Sequence, residues 1–224
     1  MMKFPNNDYR GERFIFDGDR IEIRGAMPNQ SRSTLGEFVY VQDAIIKEGL
    51  LGGALSTAWP LLKLDEHKAK LSYDGLKNID GQQLYAVRYK PKKSTDLTIY
   101  LYFDPETYRH VRTVYTLTIE PHIKSVPGNI LQSPERGTPD SPSNSEPLPE
   151  TAEIASARQF QTRYRLEERF SNFSTVDGLT LPTHYTVQFA REQQDGRTVL
   201  SQWDTAVNAI KQNVSPDPRN FAVK

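Results

Sequence analysis

The chain of 224 residues has no cysteine. Disulfides, thiol catalysis, zinc–thiolate sites and a lipid-modified cysteine are therefore excluded from these residues. It has no excess charge either, because 28 Lys+Arg meet 28 Asp+Glu and leave a formal net charge of zero. That argues against nucleic-acid or membrane-surface binding driven by electrostatics. No apolar run approaches the roughly 20 residues of a membrane-spanning helix. The four histidines, His67, His110, His122 and His184, lack metal-ligand spacing and read as surface or sheet-face residues. No Gly-x-Ser-x-Gly elbow marks a nucleophilic serine. Gly52-Gly53 lacks both the spacing and the Lys-Ser/Thr of a phosphate-cradling loop. No cofactor and no metal site are expected. The amino-terminus carries no charged-then-apolar secretion signal. Met1-Met2 leads almost directly into strand-like sequence, so the expectation is a processed or trimmed chain whose upstream part, with an N-terminal helix, is missing.

What is present is alternation. Leu97 to Ile119 reads as two strands joined at Asp104-Pro105-Glu106-Thr107. Leu97, Ile99, Leu101 and Phe103 share one side, and Thr98, Tyr100 and Tyr102 the other. On the return strand Val111, Tyr115, Leu117 and Ile119 share parity against His110, Arg112, Thr116 and Thr118. This is the pattern of an antiparallel sheet with one apolar face and one wet, tyrosine-rich face. Asp-Gly pairs at Asp17-Gly18, Asp80-Gly81, Asp177-Gly178 and Asp195-Gly196 supply the positive-φ turns that join twisted antiparallel strands. They bound further strands at Arg13–Phe16, Arg20–Ile23, Leu71–Ile79, Leu84–Tyr89, Leu179–Phe189 and Thr198–Val207. Pro182 predicts a strand start, bulge or edge. Trp203 is expected to point inward. From Arg158 on, Arg163, Arg165, Glu167 and Arg169 alternate with Tyr164, Leu166, Glu168 and Phe170, so this charged stretch is also a strand.

One helical interruption breaks the strands near residues 34–62. Ser33 or Thr34 caps it, Leu35, Phe38, Val39, Ile45 and Ile46 form its apolar stripe, Gln42 interrupts the stripe, and Gly49 marks an end. Leu50–Leu62, the most apolar stretch, follows. Residues 121–150 hold seven of the fifteen prolines and too little apolar surface to order themselves. They read as a mobile Pro-rich insertion at about 121–157, not as a domain boundary, because the β pattern resumes afterwards. The fold class that follows is mainly β (α+β): one domain over 1–224, about nine strands in a continuous curved antiparallel sheet, an open half-barrel covered by the helical segment.

Three stretches carry a resemblance. Val176-Asp177-Gly178-Leu179-Thr180-Leu181-Pro182, Asn78-Ile79-Asp80-Gly81 and Tyr102-Phe103-Asp104-Pro105-Glu106-Thr107, in this order and spacing, resemble the LolA/LolB-like outer-membrane lipoprotein-sorting family. The resemblance runs over roughly residues 10–210, less the insertion. It implies an open antiparallel barrel closed by helices around an apolar cavity for acyl chains, in the bacterial periplasm. The family includes carriers, membrane-anchored acceptors and stress-sensor domains. No functional position of the carriers finds a match at the residue level here. The N-terminal helix usual in the family is absent, and the Pro-rich insertion is not typical of it.

These readings predict a non-enzymatic binder of an apolar ligand, a lipid or a lipoprotein acyl chain. The alternative is a protein-interaction or sensor module that meets an envelope partner through Tyr100 and Tyr102 and the insertion. No nucleic-acid partner is expected. Parity selects cavity candidates: Phe38, Ile45, Leu50, Leu55 and Trp59 from the cover, and Leu101, Phe103, Tyr115, Val187 and Phe189 from the sheet. Glu167 and Glu168 are adjacent on a strand, point to opposite faces and so cannot converge on one substrate. They read as structural or solvated, and the arginines beside them as cross-strand partners.

Overall fold

Four hairpins of the main sheet close on turns that their sequence specifies. In this computed structural model, which describes residues 11–25, 31–53, 61–62, 64–93, 96–119, 161–193, 195–211, 213–215, 217, 219 and 223, the first such turn joins β3 (Lys70–Ile79) to β4 (Gln82–Lys90) through Asp80 and Gly81, both at positive φ. Asp104 organises the next, between β5 (Thr98–Phe103) and β6 (His110–Ile119), by accepting from the Thr107 N–H at 2.7 Å and the Glu106 N–H at 3.1 Å. Asp177-Gly178 joins β7 (Thr162–Val176) to β8 (Leu179–Gln193), again with both residues at positive φ. Gly196 turns β8 into β9 (Thr198–Ala206). The result is a seven-stranded antiparallel meander in the order β3-β4-β5-β6-β7-β8-β9, open, with β3 and β9 at its edges. Leu97–Ile119 lies at its centre.

The sheet does not take in the first hairpin. β1 (Glu12–Phe16) and β2 (Ile21–Gly25) form a two-stranded sheet of their own, so the expected nine-stranded continuity is corrected to seven strands plus two. The hairpin instead shares the cover with the helices, burying Ile15 and Ile23. α1 (Thr34–Val41) starts where Ser33 accepts from the Gly36 N–H at 3.0 Å, and Glu12 of β1 takes the Ser33 hydroxyl at 2.5 Å. A carboxylate at a helix start also suits the helix dipole. Leu35, Phe38 and Val39 face inward. The stripe does not continue as one helix. At Gln42 the backbone leaves helical angles, and a separate turn, α2 (Ala44–Lys47), carries Ile45 back into the core before Gly49 ends it at φ +69°. A short α3 (Leu64–His67) precedes β3.

The core lies between these layers. Ile23, Leu35, Phe38, Val39, Ile45 and Leu50 from the cover meet Tyr89, Leu97, Ile99, Leu101, Tyr115, Leu117, Leu166 and Phe189 from the sheet. Burial of each such side chain contributes about 1.5–3 kcal/mol. β6 and β7 are direct neighbours, paired from Arg112–Arg169 to Ile119–Thr162. The Pro-rich stretch thus connects two adjacent strands, and it lies outside the described residues, as do Leu55, Trp59 and His122. Pro182 sits opposite Phe173 in β8, beyond the point where β9 stops pairing at His184–Ala206. On its β9 side it is at an edge, the setting in which a strand tolerates proline. No helix among the described residues is long and apolar enough to cross a membrane.

A ligand-sized cavity beside a tyrosine clamp

The alternation of side chains sends one tyrosine inward from each of three alternate strands: Tyr89 of β4, Tyr115 of β6 and Tyr185 of β8. Together they hold one short piece of the cover. The Tyr89 hydroxyl donates to Glu48 at 2.7 Å. Tyr115 lies 3.0 Å from the Leu50 carbonyl. Tyr185 receives the Gly53 N–H. Glu48–Gly53 therefore runs across the strands from β4 towards β8, held at nearly every second residue. Tyrosine suits this position because its ring packs in the apolar core while its hydroxyl finds a partner.

At the centre of the clamp is a carboxyl group. Glu168 of β7 is fully buried. Its Oε2 is 2.6 Å from the Tyr115 hydroxyl and its Oε1 is 2.7 Å from that of Tyr185. Burial pushes its pKa up to about 7, against the opposing effect of the two hydroxyls. Burial also raises the pKa of both tyrosines, and the carboxylate beside them adds to the effect. Glu48 is likewise raised by burial, partly offset by Tyr89.

Next to the clamp an apolar cavity of about 470 Å³ opens between the layers. Phe14, Leu35 and Leu51 line it from the cover, and Leu166, Val187 and Trp203 from the sheet, with Tyr185, Thr205 and Glu12 as its polar groups. Sites for small organic ligands span roughly 300–1,000 Å³ and share this mostly apolar make-up.

Of the ten cavity candidates, Val187 is in the wall of this cavity. Ile45, Leu50, Leu101 and Tyr115 are fully buried in the packed core. Phe38 and Phe189 are core residues that also border separate shallow grooves beside α1. Phe103 is half-buried, its ring 5.2 Å from that of His110. Leu55 and Trp59 lie outside the described residues. Parity alone did not select Phe14, Leu35, Leu51, Leu166 or Trp203 as lining, because the place where the two layers part depends on how the first hairpin docks. For Glu168 a signal existed. A carboxylate in register with Leu166 and Phe170 on an inward stripe must be buried, protonated or paired.

The outer face differs from the wet surface expected. Glu167 and Arg112 have side chains only 4% and 8% exposed. Glu167 bonds Arg165 at 2.7 Å and Arg169 at 2.5 Å and lies 3.4 Å from Arg112, which in turn bonds Asp80 at 2.7 Å. Burial would raise the Glu167 pKa, but the surrounding arginines hold it below the usual carboxylate range. Thus the two glutamates do face opposite ways, but neither is solvated, and two of the arginine partners are on the same strand. Tyr100 and Tyr102 stack beside this cluster, both half-buried. His110 also departs from its expected face. A bulge between Tyr102 and Phe103 shifts the register, so Phe103 pairs with His110, and the buried imidazole joins the inner side between Phe103 and Phe170. Among the described residues no group of His, Asp or Glu is arranged to hold a metal ion.

No family model, no curated protein and no solved structure matches this chain.

Proposed function

We propose that this protein is a non-enzymatic binder of an apolar ligand, the acyl chain of a lipid or lipoprotein, working in the manner of the LolA/LolB-like proteins it resembles. The observation that carries this reading is the 470 Å³ cavity, with six of its wall residues apolar and drawn from both layers. Each methylene buried there is worth about 0.8 kcal/mol before ordering costs. A chain of ten methylenes would thus gain roughly 8 kcal/mol gross, from which those costs are subtracted. The periplasmic location and the half-barrel form of the sheet belong to the same reading and rest on the resemblance. The test is gentle purification followed by native mass spectrometry, with titration of a pyrene-labelled acyl chain. Co-purified lipid and saturable uptake are expected, and Val187→Trp, which fills the cavity, should abolish uptake while the circular dichroism spectrum stays unchanged. Absence of both lipid and uptake would rule the reading out.

A second reading, an interaction or sensor module, draws on a different observation. At the β3 edge Leu71, Tyr73 and Leu76 are 39%, 65% and 50% exposed. Tyr85 links Tyr73 to the exposed Tyr108 in a ring ladder with spacings of 6.0 and 6.2 Å. On this reading Tyr73→Glu should remove a partner interaction and leave acyl-chain uptake intact.

A further inference from the structure

We propose that Glu168 is a proton-operated bolt: with its proton in place it pins the Leu50–Gly53 strap across the inner face of the sheet, and loss of that proton unpins the strap at Leu50. A tyrosine hydroxyl has one proton to donate. Tyr115 stands within bonding distance of two acceptors, the Leu50 carbonyl at 3.0 Å and Glu168 Oε2 at 2.6 Å. Both contacts are satisfied together only if Glu168 is the acid and donates to the Tyr115 oxygen. The chain then runs in two arms. The Gly53 N–H donates to Tyr185, and Tyr185 donates to Oε1. Oε2–H donates to Tyr115, and Tyr115 donates to the Leu50 carbonyl. Every donor is used once and no buried acceptor on the path is left empty.

Deprotonation breaks this assignment. A buried carboxylate demands both tyrosine protons. Tyr115 turns to Oε2, the proton of Glu168 passes to solvent, and the buried Leu50 carbonyl loses its donor. The strap is bounded by Gly49 and Gly53, both at φ +69°, a conformation glycine adopts without strain. Leu51, within the strap, is part of the cavity wall. The groups that act on Glu168 are few. Tyr115 faces it from β6, where Thr113 pairs opposite it and bonds both His110 and the Tyr115 hydroxyl. Tyr185 faces it from β8. The nearby cover carries Glu48, which is engaged with Tyr89, and Glu12, which is engaged with Ser33. Burial and the two hydroxyls are what set its titration.

The test reads the strap in ligand-free protein, so it stands or falls separately from acyl-chain binding. Amide hydrogen exchange of residues 48–53 is followed from pH 5 to pH 8.5 and corrected for the intrinsic pH dependence of exchange. In the wild type, protection should fall about tenfold per pH unit between pH 5 and 7 and then level off, the slope of one linked proton. Glu168→Gln keeps a neutral donor facing Tyr115 and should remove this slope at Leu50–Gly53, leaving only what Glu48 contributes at its own end of the strap. Tyr115→Phe leaves the Leu50 carbonyl without its donor and should show, already at pH 5, the low protection that the wild type reaches at pH 8. Flat protection in the wild type, or an unchanged slope in Glu168→Gln, would overturn the proposal. If Glu168→Gln fails to fold, full protection of the strap in Tyr115→Phe at pH 5 would overturn it equally.

Discussion

Glu168 should make this protein less stable as pH rises from acid to neutral, and the size of the effect follows from its burial. Its carboxyl titrates near 4.5 in an unfolded chain and at about 7 in the fold. The native state therefore keeps a proton that the unfolded state gives up. Between those two values the native protein holds more protons, so raising the pH favours unfolding. The contribution is fully present below about pH 4.5 and lost by about pH 7. At about 1.36 kcal/mol per pKa unit the loss comes to roughly 3 kcal/mol, a large part of a typical domain's 5–15 kcal/mol. Carboxylates held low by ion pairs or turn amides, such as Asp80, Asp104 and Glu167, act in the opposite sense. Their transitions are complete below about pH 4.5, so they leave the pH 5–7.5 window flat. Urea unfolding followed by far-ultraviolet circular dichroism at pH 5, 6, 7 and 7.5 measures the slope, and the difference between wild type and Glu168→Gln isolates it. The wild type should lose most of its advantage across that range, while the variant keeps only the smaller slope of Glu48, whose pKa burial also raises. Two parallel stability profiles would show that Glu168 is solvated or ion-paired instead of buried as an acid.

Other perturbations probe the remaining buried polar groups. Tyr89→Phe strands the Glu48 carboxyl at the foot of the clamp and should cost about 1–3 kcal/mol, read from the shift in urea midpoint. Glu167→Gln weakens the buried anchor of Arg112 and should cost up to about 3–5 kcal/mol, whereas the double change Arg112→Met with Glu167→Leu should recover most of that loss, because a packed apolar pair replaces a desolvated ionic one. A thermal melt of the double variant no better than that of the single one would contradict this account. Gly36→Ala places a methyl 2.7 Å from both oxygens of Glu12. It should displace the carboxylate from Ser33, costing about 1–2 kcal/mol in a thermal melt; an unshifted melting temperature would show that the tie between hairpin and helix contributes nothing.

The clamp also bears on why the cover stays in place although its helices are short. α1 has eight residues and α2 four, and helices of that length are marginal on their own. Their position depends on tertiary contacts: the Glu12–Ser33 tie at one end, the apolar stripe of Leu35, Phe38 and Val39, and the three tyrosines that grip Glu48, Leu50 and Gly53. This piece of the chain is thus fastened by polar bonds in an apolar setting. Such bonds are strong when complete and costly when one partner is lost.

Much of the fold was legible in the linear pattern. The seven strands of the meander, the inward parity of Leu97, Ile99 and Leu101 or of Tyr185, Val187 and Phe189, the cap at Ser33 and the Asp-Gly turns all follow from local rules, since residue spacing alone determines which side of a strand a residue occupies and which turns need positive φ. What failed were judgements that depend on distant partners. His110 changed face because β6 carries one extra residue, Val111, opposite the step from Tyr102 to Phe103, and a shift of one residue inverts the side chains beyond it. The first hairpin left the main sheet because its apolar side found the cover. Glu167 and Glu168 look alike in sequence, yet one lies among three arginines and the other between two tyrosine hydroxyls, and only the meeting of β6, β7, β8 and the strap made them different. Periodicity is a property of the chain and can be read from it. A buried carboxyl's charge, and the gap between layers that makes a cavity, depend on which surfaces exclude water from it, and that was decided by the tertiary structure.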